Sequence, residues 1–275
     1  MGHVNWMEQQ YLPSLSVANT DEIFESWQLR AAAARAKLKF TGDIAYGPHL
    51  REVLDFYPAE NSHGCLVFIH GGYWVEFSKF ETSWVAEGFV EQGVSVALIN
   101  YPLCPDVSIA EIGASCMRAF GHLYRSVLSD AERGAVVVAG HSAGGYLAAA
   151  HLTQDWTELS LPADPIAGVI ALSGVFDVAP LMQTALNAEL RITEQSARIL
   201  NLNTQMPRSK AHVTLAVGQV ESAEFHRQST ALASHWRRLR PDVLNVAGAN
   251  HFTIIDSLAI RDGTLNRLAL ALAGR

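Results

Sequence analysis

Apolar positions along this chain follow two alternating patterns. Short runs rich in Val and Ile, apolar on both faces, occur at residues 65–69, 94–99, 135–139, 167–172, 213–217 and 243–246. Strands of that kind belong in a parallel sheet covered by helices on both sides. Between them, stretches 78–92, 108–129, 143–155 and 222–240 have helical length and apolar spacing. Upstream, Thr20-Asp21-Glu22 supplies a cap and an acidic first turn to an Ala-rich run, predicting a helix over 20–39. Residues 42–46 and 51–57 are further strand candidates, and "LREVLDFYP" alternates as a half-buried strand does. The whole pattern predicts an α/β fold: one doubly wound domain over 1–275 with about eight mostly parallel strands.

The interval from Leu172 to Val213 is longer than a simple crossover needs. Its sequence "VAPLMQTALNAELRITEQSARILNL" looks helical. Residues 177–210 therefore read either as a small helical lid over a site or as an ordinary pair of surface helices.

Composition narrows the function classes. With 49% hydrophobic and 17% charged residues, the chain has enough apolar side chains for a large core, and disorder is not expected. The formal charge is 20 − 27 = −7, and Arg237, Arg238 and Arg240 form the densest basic spot. No basic stripe suits a nucleic acid. Cys65, Cys104 and Cys116 are odd in number, and no Cys-x-x-Cys pair suggests a metal. The first ten residues lack a basic segment followed by an apolar one, and no apolar run approaches bilayer-spanning length. The expectation is a cytoplasmic protein with a small-molecule substrate and without nucleic acid, membrane, metal or organic cofactor. The oligomeric state is open, a homodimer included.

The chemistry concentrates at strand ends. "GHSAGG" (140–145) lies between the apolar run 135–139 and a helix-like stretch. A strand that turns sharply into a helix strains the residue at the turn. Gly140 and Gly144, lacking Cβ atoms, avoid clashes with neighbouring backbone there. The turn projects Ser142 above the sheet as a nucleophile elbow. A serine hydroxyl needs a base, and His251 follows the last strand candidate in "GANHF". The carboxylate that orients the base should follow the preceding strand. Glu221 is the first acid there, with Glu224 three residues on and Asp177 after an earlier strand as the alternatives. "FIHGGYW" after the strand at 65–69 offers backbone N–H groups at Gly72 and Tyr73, which with that of Ala143 suit a developing oxyanion. Trp74 is a candidate to stack on an aryl substrate, or else a core residue.

In order and spacing, "HGGYW", "GHSAGG", "VESAEFHRQS" and "ANHF" resemble the α/β-hydrolase superfamily, most closely its kynurenine formamidase (arylformamidase) and esterase/lipase-like group. "EQQYLPSLSV", "AYG" and "VLDFYP" extend the resemblance over most of the chain. It implies an α/β-hydrolase fold, Ser142 as nucleophile, His251 as base, Glu221 as acid, and Gly72, Tyr73 and Ala143 as oxyanion donors. Two departures bear on substrate: glutamate stands where many members have aspartate, and "LNLNTQMPRSK" lacks an expected Ser-Pro. The resemblance implies a cofactor-free serine hydrolase acting on a small acyl amide such as N-formylkynurenine. A short-chain carboxylesterase or thioesterase is the alternative. A non-catalytic binding module on the same scaffold is a third reading, which the presence of all three triad candidates disfavours.

Overall fold

The computed structural model describes residues 5–274. Eight strands form one sheet: β1 Thr41–Ala45, β2 Val53–Tyr57, β3 Gly64–Ile69, β4 Val94–Ile99, β5 Val136–His141, β6 Gly168–Leu172, β7 His212–Gly218 and β8 Asp242–Val246. Their order is β1-β2-β4-β3-β5-β6-β7-β8. The β1–β2 and β2–β4 pairs are antiparallel and the others parallel. Strands β3, β4, β5 and β6 are buried at every residue, as their continuous apolar runs require, whereas the edge strands β1 and β8 are largely open.

Strand alternation divides the core between two faces. Val67, Ile69, Val136 and Val138 pack with residues of the helices Ile109–Ser126, Ala143–Ala150 and Ala223–His235. Leu66, Phe68, Val137 and Ala139 pack on the other face with Trp27, Ala31 and Ala34 of the helix Thr20–Lys37 and with the helix Thr264–Ala273. The chain runs outward from β3 to β4 on one side and returns to β5 on the other. The C-terminal ends of β3 and β5 therefore border a topological switch point, where open α/β sheets bind ligands.

Three helical expectations need correction. Residues 78–92 form only a 3₁₀ segment, Ser83–Ala86, and one helical turn, Glu87–Val90. The four consecutive residues Ser83–Ala86 are all buried, so this stretch is enclosed on every side and has no solvent-facing stripe. Lys79 is drawn inward by Asp55, 2.6 Å away, and the Trp84 indole donates to the Glu81 carbonyl at 2.9 Å. The predicted helices at 143–155 and 222–240 end sooner, at Ala150 and His235, and each is followed by a 3₁₀ turn. Residues 177–210 form short helical pieces, Asn187–Leu190 and Glu194–Leu200, with 3₁₀ turns on either side. Among the described residues, no helix is long and apolar enough to cross a membrane.

Candidate active site

β5 ends at His141 and the helix Ala143–Ala150 starts two residues later, leaving Ser142 as the bend. Its backbone (φ 55°, ψ −116°) lies outside the basins that side-chain-bearing residues usually occupy. Such conformations cost about 1–3 kcal/mol and persist where surrounding structure fixes them. Here the Ser142 N–H donates to the Leu172 carbonyl at 2.8 Å. The glycines allow the bend to close. A Cβ on Gly140 would sit 2.1 Å from the Gly144 carbonyl oxygen, and one on Gly144 would sit 2.0 Å from that of Ile69.

His251 and Glu221 come from the ends of β8 and β7. His251 Nδ1 is 2.7 Å from Glu221 Oε2. The other carboxylate oxygen accepts the Gly218 N–H and the Ser173 hydroxyl, each at 2.6 Å. Three donors thus hold the glutamate, and donation from Nδ1 leaves Nε2 of His251 as the basic nitrogen. Both side chains are almost wholly buried. The alternative acids are engaged elsewhere. Glu224 pairs with Arg227 at 2.7 Å and accepts the Tyr11 hydroxyl, while Asp177 accepts the Ala179 N–H and lines a separate groove.

Ser173 and His141 escaped the sequence reading. Ser173 (φ 51°) is the first residue after β6 and carries no motif signal beyond that position. His141 lies inside the serine motif, and its Nε2 is 2.6 Å from the His251 carbonyl oxygen. A carbonyl only accepts, so Nε2 carries the hydrogen. Burial, and secondarily the neighbouring His251, push the His141 pKa well below the ordinary imidazole range. His141 thus stays neutral while pinning the loop that bears His251.

The loop after β3 has three consecutive residues with positive φ: Gly72 (96°), Tyr73 (48°) and Trp74 (61°). Val75 and Glu76 both donate to the Gly72 carbonyl, at 2.9 and 3.0 Å. The backbone N–H groups of Gly72 and Tyr73 find no backbone acceptor among the described residues. Ala143 opens its helix and so has no intrahelical acceptor. These are the three donors expected from sequence. Tyr101 buttresses the loop: its ring stacks on His70 at 4.1 Å and its hydroxyl donates to the His70 and Gly71 carbonyls. Desolvation holds the His70 pKa down at about 3.

Ser142, His251, Gly72 and Tyr73 line one cavity of about 260 Å³. Its wall is mostly apolar, with Phe24, Trp27, Phe77 and Phe252 supplying aromatic surface. The expectation for Trp74 is corrected: it is fully buried, packs edge-on against Tyr146 and lies outside the cavity lining. Tyr73, its neighbour at similarly positive φ, does line the cavity. Residues 177–210 contribute Leu186 alone to the lining, whereas Leu12, Pro13 and Ser14 come from the N-terminal segment.

The family model for the alpha/beta hydrolase fold matches residues 66–251, more than half of the chain. The chain belongs to this family, and it is a hydrolase of the α/β type. It is 29% identical to the kynurenine formamidase of Danio rerio, over 88% of this chain and 85% of that one. Identity to the kynurenine formamidase of Salmo salar is also 29%, over 98% and 96% of the two chains. Among solved structures, a candidate thioesterase from Silicibacter sp. superposes with a TM-score of 0.85 at 28% identity, covering 96% of this chain and 97% of that one.

Proposed function

We propose that the chain hydrolyses small aryl formamides of the N-formylkynurenine type through a formyl-enzyme on Ser142. The observation that carries this reading is the Glu221–His251 pair at 2.7 Å, whose imidazole shares one cavity with Ser142 and the unpaired amides of Gly72 and Tyr73. Similarity to the two fish kynurenine formamidases supports the aryl formamide as substrate.

In this mechanism Ser142 Oγ attacks the formyl carbon while Nε2 of His251 takes the hydroxyl proton. Glu221 orients the imidazole and stabilises its cationic form. The N–H groups of Gly72, Tyr73 and Ala143 hold the oxyanion, each worth roughly 3–4 kcal/mol in the transition state. As the C–N bond breaks, the imidazolium donates its proton to the leaving aniline nitrogen. Water, deprotonated by the same histidine, then attacks the formyl ester, releasing formate and restoring Ser142.

Ester or thioester cleavage is the second reading, favoured by the Silicibacter structure. The two are separated by kcat/KM on N-formylkynurenine, on a simple aryl formamide and on p-nitrophenyl and thioester substrates of matched acyl length. The formamidase reading expects the formamides to lead. Efficient turnover of esters with negligible turnover of every formamide would reject it.

A further inference from the structure

The cavity carries one feature that acyl transfer does not use. Among the described residues, Glu76 is the only carboxylate in its lining, and neither Lys nor Arg lines it. The Glu76 side chain has no hydrogen-bond or ion-pair partner among the described residues, and only desolvation raises its carboxyl above the ordinary range. Glu76 is an exposed residue that also lines the cavity.

The position is fixed by the loop that supplies the oxyanion donors. The Glu76 N–H donates to the Gly72 carbonyl at 3.0 Å, and a Cβ on Gly72 would meet the Glu76 carbonyl oxygen at 2.3 Å. The Glu76 backbone and the two amides therefore belong to one turn, and the carboxylate springs from beside them. Around the cavity stand rings already in mutual contact: Phe24 lies 5.1 Å from Phe77, 5.3 Å from Trp27 and 5.1 Å from Phe252. A carboxylate facing a cavity of aromatic rings, with no internal cation to neutralise it, offers favourable electrostatics to a positively charged group.

Resting on the formamidase reading, we propose that Glu76 is a specificity-determining residue that selects substrates bearing an ammonium group beside the aryl acyl-amide. The aromatic wall takes the ring, the turn of Gly72 and Tyr73 takes the carbonyl, and Glu76 takes the ammonium on the chain leading away from the ring. An anionic group at that place meets repulsion instead. The pocket reads the amine of an amino-acid-like substrate and leaves its carboxylate towards solvent.

The test uses the full-length enzyme and a series of 2-acylphenyl formamides whose side chain ends in an ammonium, a neutral methyl or a carboxylate. The same three charge states are prepared as phenyl acetates. Expected is an order of kcat/KM of ammonium above neutral above carboxylate, carried by KM. Glu76→Gln lowers the ammonium-to-neutral ratio about tenfold, equivalent to ~1.4 kcal/mol, and Glu76→Lys inverts the order. An unchanged ratio in Glu76→Gln, or a wild-type enzyme indifferent to side-chain charge, overturns the proposal. If no formamide is cleaved but the acetates are, the formamidase reading falls, and the acetate series still decides the ammonium preference. Because Glu76 has no side-chain partner, neither substitution removes a contact that folding requires.

Discussion

The floor and the roof of the cavity are built by different means. The floor stands on the ends of β3, β5, β6, β7 and β8, where main chain touches main chain: Ser142 N–H to Leu172, and Gly144 against Ile69 with no room for a methyl group. The roof is the N-terminal segment, fastened by side chains. The Tyr11 hydroxyl donates to Glu224 and accepts from Gln228 at 2.9 Å. The Tyr73 hydroxyl donates to the Tyr11 carbonyl, and that of Ser222 to the Gln10 carbonyl at 2.6 Å. A floor made of backbone keeps reacting groups in register; a roof made of side-chain contacts adjusts which molecule fits beneath it.

The comparison breaks most severely at the floor. Ser142→Ala is expected to lower kcat by about 10⁴-fold or more with the fold intact, measured by steady-state kinetics beside circular dichroism. Glu221→Ala should cost on the order of 10⁴-fold in kcat, whereas Asp177→Ala, engaged in its own groove, stays within about threefold. Equal losses in the two would remove Glu221 from its role. Gly144→Ala forces a Cβ to within 2.0 Å of a carbonyl oxygen, so urea denaturation should register a destabilisation of about 3 kcal/mol or more.

Acid should also act on the floor before the roof. His70 in the floor, with a pKa of about 3, and His151, about 4, which packs against Phe120 and Trp156 beyond the far end of the helix Ala143–Ala150, are neutral when buried, against about 6.5 in the unfolded chain. A depressed folded pKa means stability is full above pH 6.5 and declines as pH falls towards those values, because the unfolded chain binds the extra protons. At pH 5.5 each should have removed on the order of 1 kcal/mol, read as a falling denaturation midpoint. Replacing His151 by a non-titrating residue of similar size should flatten that slope.

The smallest effect belongs to the roof. Tyr11→Phe deletes one hydroxyl shared by Glu224 and Gln228, worth about 1 kcal/mol. Its mark should be a KM several-fold higher at nearly constant kcat. A loss mainly in kcat would mean that the N-terminal segment also positions the reacting groups.

The same division explains what the sequence made legible. Close backbone approach admits only glycine, so Gly140, Gly144 and Gly72 stand in the chain as motifs that mark the ends of β5 and β3, while Glu221 and His251 are legible by their place after the strands β7 and β8. The roof leaves no such trace. Tyr11 meets Glu224 at a sequence separation of 213, and nothing in the local pattern around either residue announces the other. Ser173 and Tyr101 support the site through single hydroxyls, which any exposed Ser or Tyr could equally carry. Trp74 misled because adjacency in sequence to Tyr73 does not fix direction where φ is positive at both. The 78–92 stretch misled because its central residues Ser83–Ala86 are all buried and so lack the polar face of an amphipathic helix.

The most direct test of the central claim is covalent capture of the nucleophile. The enzyme is treated with a fluorophosphonate and the adduct is located by peptide mass spectrometry, in the wild type and in His251→Ala. A single adduct on Ser142, formed far more slowly without His251, is the result this account predicts. An adduct on another residue, or labelling of Ser142 at the same rate in both proteins, would contradict it.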